Sequence, residues 1–472
     1  QRVIDRQDIF DFSRELGLRP EIVEKDYVLG WVLSGIFAHP SFRQTWIFKG
    51  GTCVKKCFFE TYRFSEDLDF TLADTGHLDE RYLTDAFMQI ARWIYEQSGI
   101  EFPEDSVRFE VYENPRGRVS VQGRISYRGP MMPRGALPRI KLDLTDDELV
   151  VLDPVIRDVH HPYPDRPDDG MRILCYAYEE LFAEKVRALA ERERPRDLYD
   201  VIHLYRHGSD GTARGVILDV LKRKCEYKAI ALPSMAALES QPARAELETE
   251  WENMLGHQLP ALPPFEQFWR ELPEVLDWLY REVTRVAEKA YPYQPQEDTA
   301  WRPPAMGQSW GPAVRTEVPI EIIRFAAANH LCIDLSYKGS RRLIEPYSVR
   351  RTRAGHLILH AIRHDSGEHR AYRVDEIQDA LVSKIPFTPR YAVELTATGP
   401  LSAPPAYRKQ ESTVPLRSRA VRRSSAGLTC VIGCPVCGKQ FNRKTRSVKL
   451  NKHKDKQGYP CAGRSGYLIT TK

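Results

Sequence analysis

Residues 46–72 constrain the fold more than any other stretch of the chain. Trp46-Ile47-Phe48 is a short apolar strand that runs into Gly50-Gly51-Thr52, after which the pattern turns helical. Asp67-Leu68-Asp69-Phe70-Thr71-Leu72 then alternates with period 2. That spacing predicts a strand with Leu68 and Phe70 in the core and both aspartates on the opposite face. Carboxylates held side by side repel each other unless a cation sits between them, and oxygen donors of this kind suit Mg²⁺. Backbone N–H groups at a glycine turn that opens a helix can hold a phosphate. An isolated D-x-D is common by chance; the strand and the turn about fifteen residues upstream give this pair its weight. Together they are a minimal kit for handling a nucleoside triphosphate.

Four segments carry a wider pattern: Val23-Glu24-Lys25-Asp26-Tyr27, Lys49-Gly50-Gly51-Thr52, Arg63-Phe64-Ser65-Glu66-Asp67-Leu68-Asp69-Phe70, and Glu184-Lys185 with Arg192 and Arg196-Asp197-Leu198-Tyr199-Asp200. Over roughly residues 10–205 the chain resembles the AbiEii/AbiGii nucleotidyltransferase toxins, a branch of the polymerase-β-like nucleotidyltransferase superfamily. The resemblance implies that Lys49, Gly50, Gly51, Thr52, Arg63 and Ser65 surround the nucleotide. It makes Asp67 and Asp69 ligands of Mg²⁺, Lys185 a phosphate contact and Asp197 the group that completes the active site. Members of the superfamily often add a third carboxylate from a neighbouring strand. Ile140-Lys141-Leu142-Asp143-Leu144 alternates like a strand, so Asp143 is the candidate, as a metal ligand or as acceptor of the attacking hydroxyl's proton. Its plainer reading is an exposed strand-end acid beside Thr145-Asp146-Asp147. In-line attack on an α-phosphate builds negative charge on oxygen, which metal ions and a lysine stabilise.

The later helices can be read from their own periodicity. Leu181, Phe182, Lys185, Val186, Leu189 and Ala190 form an apolar stripe with Lys185 on its edge, where a lysine could simply run along the core rim. Pro195 suits the first turn of the next helix, whose buried face is Leu198, Val201 and Leu204. Asp197 in that turn could equally serve the helix dipole.

At 472 residues the chain exceeds one ordinary core. The expected architecture is multidomain α+β: a polymerase-β-like nucleotidyltransferase domain with a helical C-terminal part over 1–290, then a linker over 291–315 marked by Pro292, Pro295, Pro303 and Pro304. An SH3-like β-barrel over 316–400, a basic linker over 401–427 and a zinc module over 428–472 complete it. No apolar run is long enough for a membrane span, and Gln1-Arg2-Val3-Ile4-Asp5 does not read as a signal peptide. Cysteines 53, 57, 175, 225 and 332 are scattered, whereas 430, 434, 437 and 461 cluster, which suits a cytoplasmic protein with one local metal site. Residues 401–472 hold sixteen Lys/Arg against Glu411 and Asp455, a balance of +14 that leaves residues 1–400 at −10. A basic tail on an acidic body points to a polyanion such as nucleic acid.

Ile320, Ile323 and Ala326 suggest a short helix, followed by strands over 332–337, 343–347 and 357–361. This order is similar to a WYL domain, a small barrel that senses ligands or nucleic acid. The Trp-Tyr-Leu triplet is absent, with His356-Leu357-Ile358 in its place. A surviving ligand pocket would be lined by Tyr337, His356 and Arg373; a purely structural β-module fits as well. Further on, Cys434-Pro435-Val436-Cys437, His453 and Cys461 supply four tetrahedral donors for Zn²⁺, with Cys430 as a spare. Arg443, Lys444, Arg446, Lys449, Lys452, Lys454 and Lys456 between the ligand pairs would meet phosphates.

The leading expectation is a Mg²⁺-dependent nucleotidyltransferase toxin acting in anti-phage defence, with an NTP as donor and the 3′ end of tRNA as acceptor, beside a cognate antitoxin. A second class moves an NMP or phosphate onto a protein hydroxyl. A third is a non-catalytic nucleic-acid-binding regulator.

Overall fold

The structure is a computed structural model. It describes residues 3–281 except 61, 115, 133–134, 209–213 and 240–242; residues 320–395 except 352–355; and residues 430–471 except 444–447, 455–459, 462–464 and 466. The chain divides into two compact units, Gln1–Tyr407 and Arg408–Lys472. The linkers expected over 291–315 and 401–427 lie outside the described residues.

The first unit opens with helices α1 (Arg6–Leu16) and α2 (Pro20–Ala38). α2 is apolar on almost every side and is therefore buried all round, with Val28, Leu29, Trp31, Leu33 and Ile36 inside the core. Strand β1 (Trp46–Lys49) leads straight into the short helix α3 (Gly50–Cys53), which continues as a π-helical turn over Val54–Phe58. Next come β2 (Asp67–Leu72), the amphipathic α4 (Glu80–Ser98), β3 (Val107–Glu113), β4 (Val119–Ser126), β5 (Arg139–Thr145), β6 (Val155–Asp158) and β7 (Arg172–Cys175). These strands form one sheet in the order β3-β4-β5-β2-β1-β7-β6. β2 lies at its centre, antiparallel to β1 and parallel to β5. Leu68, Phe70, Ile140, Leu142 and Leu144 enter the core from alternate positions, which leaves Asp67, Asp69 and Asp143 on the opposite face.

A helical layer follows: α5 (Tyr178–Arg192), α6 (Pro195–Gly208), α7 (Arg214–Lys228), α8 (Met235–Leu238), α9 (Ala243–Leu255) and α10 (Phe265–Tyr280). The apolar pairs at Phe265/Trp269 and Val275/Leu279 fall on the single helix α10, which runs through Pro273. Helix α11 (Ile320–Ala328) then precedes β8 (Leu331–Tyr337), β9 (Ser340–Arg351), β10 (Leu357–Arg363), β11 (His369–Arg373) and β12 (Ile377–Pro386). Their antiparallel order is β11-β10-β9-β8-β12. The pairing among the described residues is that of an open sheet, with β11 and β12 as its two edges, so closure into an SH3-like barrel is not what it shows. This module shares one apolar core with the helical layer. Tyr199 Oη donates to Asn329 Oδ1 at 3.0 Å and Gln267 Nε2 to the Asn329 carbonyl at 2.9 Å, tying α6 and α10 to the turn after α11.

The second unit is small: a sheet in the order β14-β13-β17, from β13 (Cys430–Gly433), β14 (Gln440–Arg443) and β17 (Tyr467–Thr471), and a two-stranded ladder of β15 (His453–Lys454) and β16 (Pro460–Cys461). Among the described residues, no helix is long and apolar enough to cross a membrane.

Candidate active site

Strand register assembles the carboxylates. Asp69 stands opposite Asp143 across β2 and β5, and Asp67 precedes Asp69 by two residues on the same face. Three acids converge at the centre of the sheet, and the charge is incompletely offset. Burial pushes the Asp69 carboxyl up to about 6, with Asp143 and Asp67 adding repulsion against the opposing pull of Lys49 and Lys185. A buried carboxylate with two further carboxylates beside it on one face is a fit donor set for a divalent cation. Asp143 accepts from Lys141 Nζ at 2.7 Å and from Gln122 Nε2 at 3.2 Å.

The glycine turn lies against this row. Gly50 has φ +78°, in the left-handed region, and a Cβ there would fall 2.1 Å from Asp69 Oδ2. A Cβ on Gly51 would fall 2.6 Å from Arg63 Nη2 and 3.1 Å from Ser65 Oγ. The first backbone N–H groups of α3 therefore open beside the aspartates, with no side chain between. Thr52 is buried and its hydroxyl donates to the Asp67 carbonyl, which fixes the turn to β2. Gly50→Ala is expected to displace the Asp69 carboxylate and cut turnover by roughly 10²-fold, with the strained backbone costing about 1–2 kcal/mol in thermal unfolding. Steady-state kinetics and calorimetry on the same preparation check both.

Several residues expected at the nucleotide are instead engaged inward. Lys49 Nζ lies 3.6 Å from Glu148 and 3.7 Å from Glu184. Arg63 binds Asp200 through Nε at 2.6 Å and Nη2 at 2.8 Å, and Gln258 through Nη1 at 3.0 Å. Lys185, far from running along a rim, is buried with Nζ 2.7 Å from Asp200 and 3.8 Å from Asp197. Asp197 is paired with Arg192 at 2.8 Å, and its Oδ2 is buried with no hydrogen-bond partner among the described residues. Arg63 and Lys185, with Tyr62 as a further donor, hold the Asp200 carboxyl well below the usual range although burial opposes it.

Asp200 is therefore the hub of a second cluster that braces the glycine turn from beneath. Sequence reasoning gave it no role, although it stands one helical turn after Asp197. Glu148, Glu184 and Lys224 were missed as well: Lys224 bridges Glu180 at 2.7 Å and Glu184 at 3.0 Å. The Glu24-Lys25-Asp26 segment is a brace too. Glu24 accepts from the Met131 N–H at 2.6 Å, Lys25 pairs with Glu66 at 2.7 Å, and Asp26 pairs with Lys56 at 2.6 Å.

A cleft of about 230 Å³ opens beside the carboxylates, lined by Lys49, Asp69, Asp143, Thr145, Glu148 and Lys228 among others. At the β-module, Tyr337, His356 and Arg373 meet acids: Tyr337 Oη donates to Glu376, Arg373 pairs with Asp375 at 2.5 Å, and Arg373 Nη2 lies 3.2 Å from His356 Nδ1. In the second unit, the donor atoms of Cys434, Cys437, His453 and Cys461 lie within 4.8 Å of one another. Cys430 pairs within the β13 ladder and packs in the same small core, but is not one of the four. Cys53, Cys57 and Cys175, scattered in sequence, also come within 4.8 Å of one another, all buried.

Three comparisons with known proteins bear on the site. No curated protein matches the chain. Among solved structures it is similar to MenT4, a nucleotidyltransferase toxin from Mycobacterium tuberculosis, at 17% identity and TM-score 0.33, over 58% of this chain and 98% of that one. It is also similar to JHP933 from Helicobacter pylori, at 17% identity and TM-score 0.28, over 50% of this chain and 95% of that one. The family model described as nucleotidyl transferase AbiEii toxin, type IV toxin–antitoxin system, matches residues 31–278, a span that ends before the five-stranded sheet and the Cys/His cluster. With more than half of its length matched, the chain belongs to the AbiEii family of nucleotidyltransferase toxins.

Proposed function

We propose that this toxin transfers the nucleotidyl group of an NTP to the 3′ hydroxyl of an RNA, with tRNA as the acceptor, and so arrests translation as a defence against phage. The observation that carries the reading is the row Asp67, Asp69 and Asp143 set beside the side-chain-free turn at Gly50 and Gly51. Asp67, Asp69 and Asp143 would hold magnesium, which when bound supplies positive charge at the α-phosphate. The N–H groups of the turn would hold the triphosphate, with Ser65 beside them. Asp143, on the strand away from the turn, would accept the proton as the hydroxyl oxygen bonds to the α-phosphorus and pyrophosphate leaves. Lys49, Lys185 and Arg63 serve this site as positioning residues, their charge felt at Asp69 or at the base of the turn.

A cognate antitoxin would neutralise the chain. Tyr337, His356 and Arg373 would receive a nucleotide or nucleic-acid ligand at the β-module. Cys434, Cys437, His453 and Cys461 are a complete tetrahedral set for structural zinc, which would fix the basic loop for contact with RNA. Zinc content of the purified full chain, read by mass spectrometry, is expected to be about one ion per chain and to fall to near zero in Cys434→Ser/Cys437→Ser.

The function is tested by incubating the protein with α-labelled NTPs, Mg²⁺ and total bacterial RNA. Label in RNA that disappears with EDTA supports the reading. Label in polypeptide instead would replace it with modification of a protein hydroxyl.

A further inference from the structure

The face of the sheet that carries the aspartates continues past them onto β5, β4 and β3, and its two ends differ in charge. One hydrogen-bonded row runs Asp67, Lys141, Arg124, Arg108, each residue directly opposite the next across four strands. Residues opposite each other in a ladder share a face, and strands lie about 4.8 Å apart. Three cations thus extend from Asp67 to the sheet edge over roughly 14 Å. Arg108 and Arg124 are exposed and Lys141 is partly so. The other side of these strands is core, through Val107, Phe109, Ile125 and Ile140.

Arg124 is held flat along the sheet. Its Nε and Nη2 donate to Gln122 Oε1 at 3.1 and 2.6 Å, while Gln122 Nε2 donates to Asp143 at 3.2 Å. Asp143 is thereby linked through one amide to the second cation of the row. At the opposite end of the face, beyond Thr145, the cleft is walled by Asp147, Glu148 and Lys228, where the acids would repel a chain of phosphates. Glu110 lies 3.4 Å from Arg124 Nη1 and Lys141 Nζ is paired with Asp143 at 2.7 Å, so Lys141 joins the row to the carboxylates and the exposed Arg108 and Arg124 carry its outer end.

We infer that the row Lys141, Arg124 and Arg108 is the track along which the phosphodiester backbone of the acceptor strand reaches the carboxylates. This rests on the nucleotidyltransferase reading above and names the surface of that site that takes the acceptor. A free 3′ end laid along the track arrives on the β5 side of the site, at Asp143, while the glycine turn occupies the β1 side.

The test uses the full chain, α-labelled NTP and total bacterial small RNA. Arg108→Glu/Arg124→Glu is expected to raise the KM for RNA at least tenfold, and to lower the slope of log affinity against log salt by about 1.4, the value for two lost phosphate contacts on a single strand. Arg108→Lys/Arg124→Lys should recover most of the loss. Arg81→Glu/Arg92→Glu, the same charge change on exposed positions of α4 behind the sheet, should label RNA as the unmodified chain does. Labelling of RNA by the unmodified chain together with an unchanged KM in Arg108→Glu/Arg124→Glu would overturn the track and leave the enzymatic reading standing. Failure of the unmodified chain to label RNA, or label in polypeptide, would overturn that reading and the track with it.

Discussion

Asp69→Asn is expected to lower nucleotidyl transfer by roughly 10³-fold or more, while making the metal-free protein more stable at alkaline pH. Asp69 faces Asp143 across the strand pair and lies two residues from Asp67, so it is the carboxylate with acids on two sides. No other side chain on that face can replace it as a donor between them. The stability effect follows from its carboxyl, which burial and the neighbouring acids push up to about 6. The ordinary aspartate value is about 4. The folded metal-free chain therefore binds more protons than the unfolded chain between these two values. Stability falls as pH rises through that window, and above it the ionised carboxylate costs up to about 3 kcal/mol. Removing the charge removes that cost. Denaturant titrations in EDTA should show the variant gaining on the unmodified chain from pH 4 to pH 7 and holding a constant advantage above. Added Mg²⁺ should stabilise the unmodified chain and have little effect on the variant.

Asp200→Ala is expected to destabilise the fold by about 3–5 kcal/mol. Its side chain is fully buried and accepts from Arg63, Lys185 and Tyr62. Deleting it strands a guanidinium and an ammonium out of reach of water, a cost far above that of a surface pair. Arg63→Met/Asp200→Leu removes charge from both sides and is expected to lose less than Asp200→Ala alone, a reversal that a merely local packing defect would not produce. Because the Asp200 carboxyl is held well below its usual value, this stabilisation is fully present above about pH 4 and is lost only in stronger acid. Urea unfolding at pH 7 and pH 3 would register both effects. A difference of under 1 kcal/mol at pH 7 would mean that the cluster does not brace the site.

Local alternation made the carboxylate face legible in sequence. Leu68 and Phe70, and likewise Leu142 and Leu144, claim the core and so leave Asp67, Asp69 and Asp143 together on the other face. Sequence did not reveal the register that brings Asp143 opposite Asp69, because a parallel pairing across about seventy residues depends on the whole sheet. The fate of the cations was hidden for a related reason. Periodicity puts Lys185 on the edge of its stripe, but its burial is decided by Asp200 on the next helix. Lys49 likewise finds Glu148, three residues past β5, and Glu184 on α5 only through long-range packing. At the Cys/His cluster, spacing allowed either Cys430 or Cys461; the β13–β17 pairing takes Cys430 into a strand and leaves Cys461 with the other three donors. Of the five strands after α11, β8, β9 and β10 were legible one by one, whereas β11, β12 and the open order of the sheet, a long-range property, were not.

Transfer of an NTP's α-phosphate to RNA is the central claim, and one measurement addresses it most directly. The full chain is incubated with Mg²⁺ and total bacterial RNA, once with α-labelled and once with γ-labelled NTP, with Asp69→Asn run alongside. The expected result is α-label in RNA, γ-label released as pyrophosphate, and neither product from the variant. Movement of γ-label onto any acceptor, or α-label in RNA at an equal rate with Asp69→Asn, would contradict it.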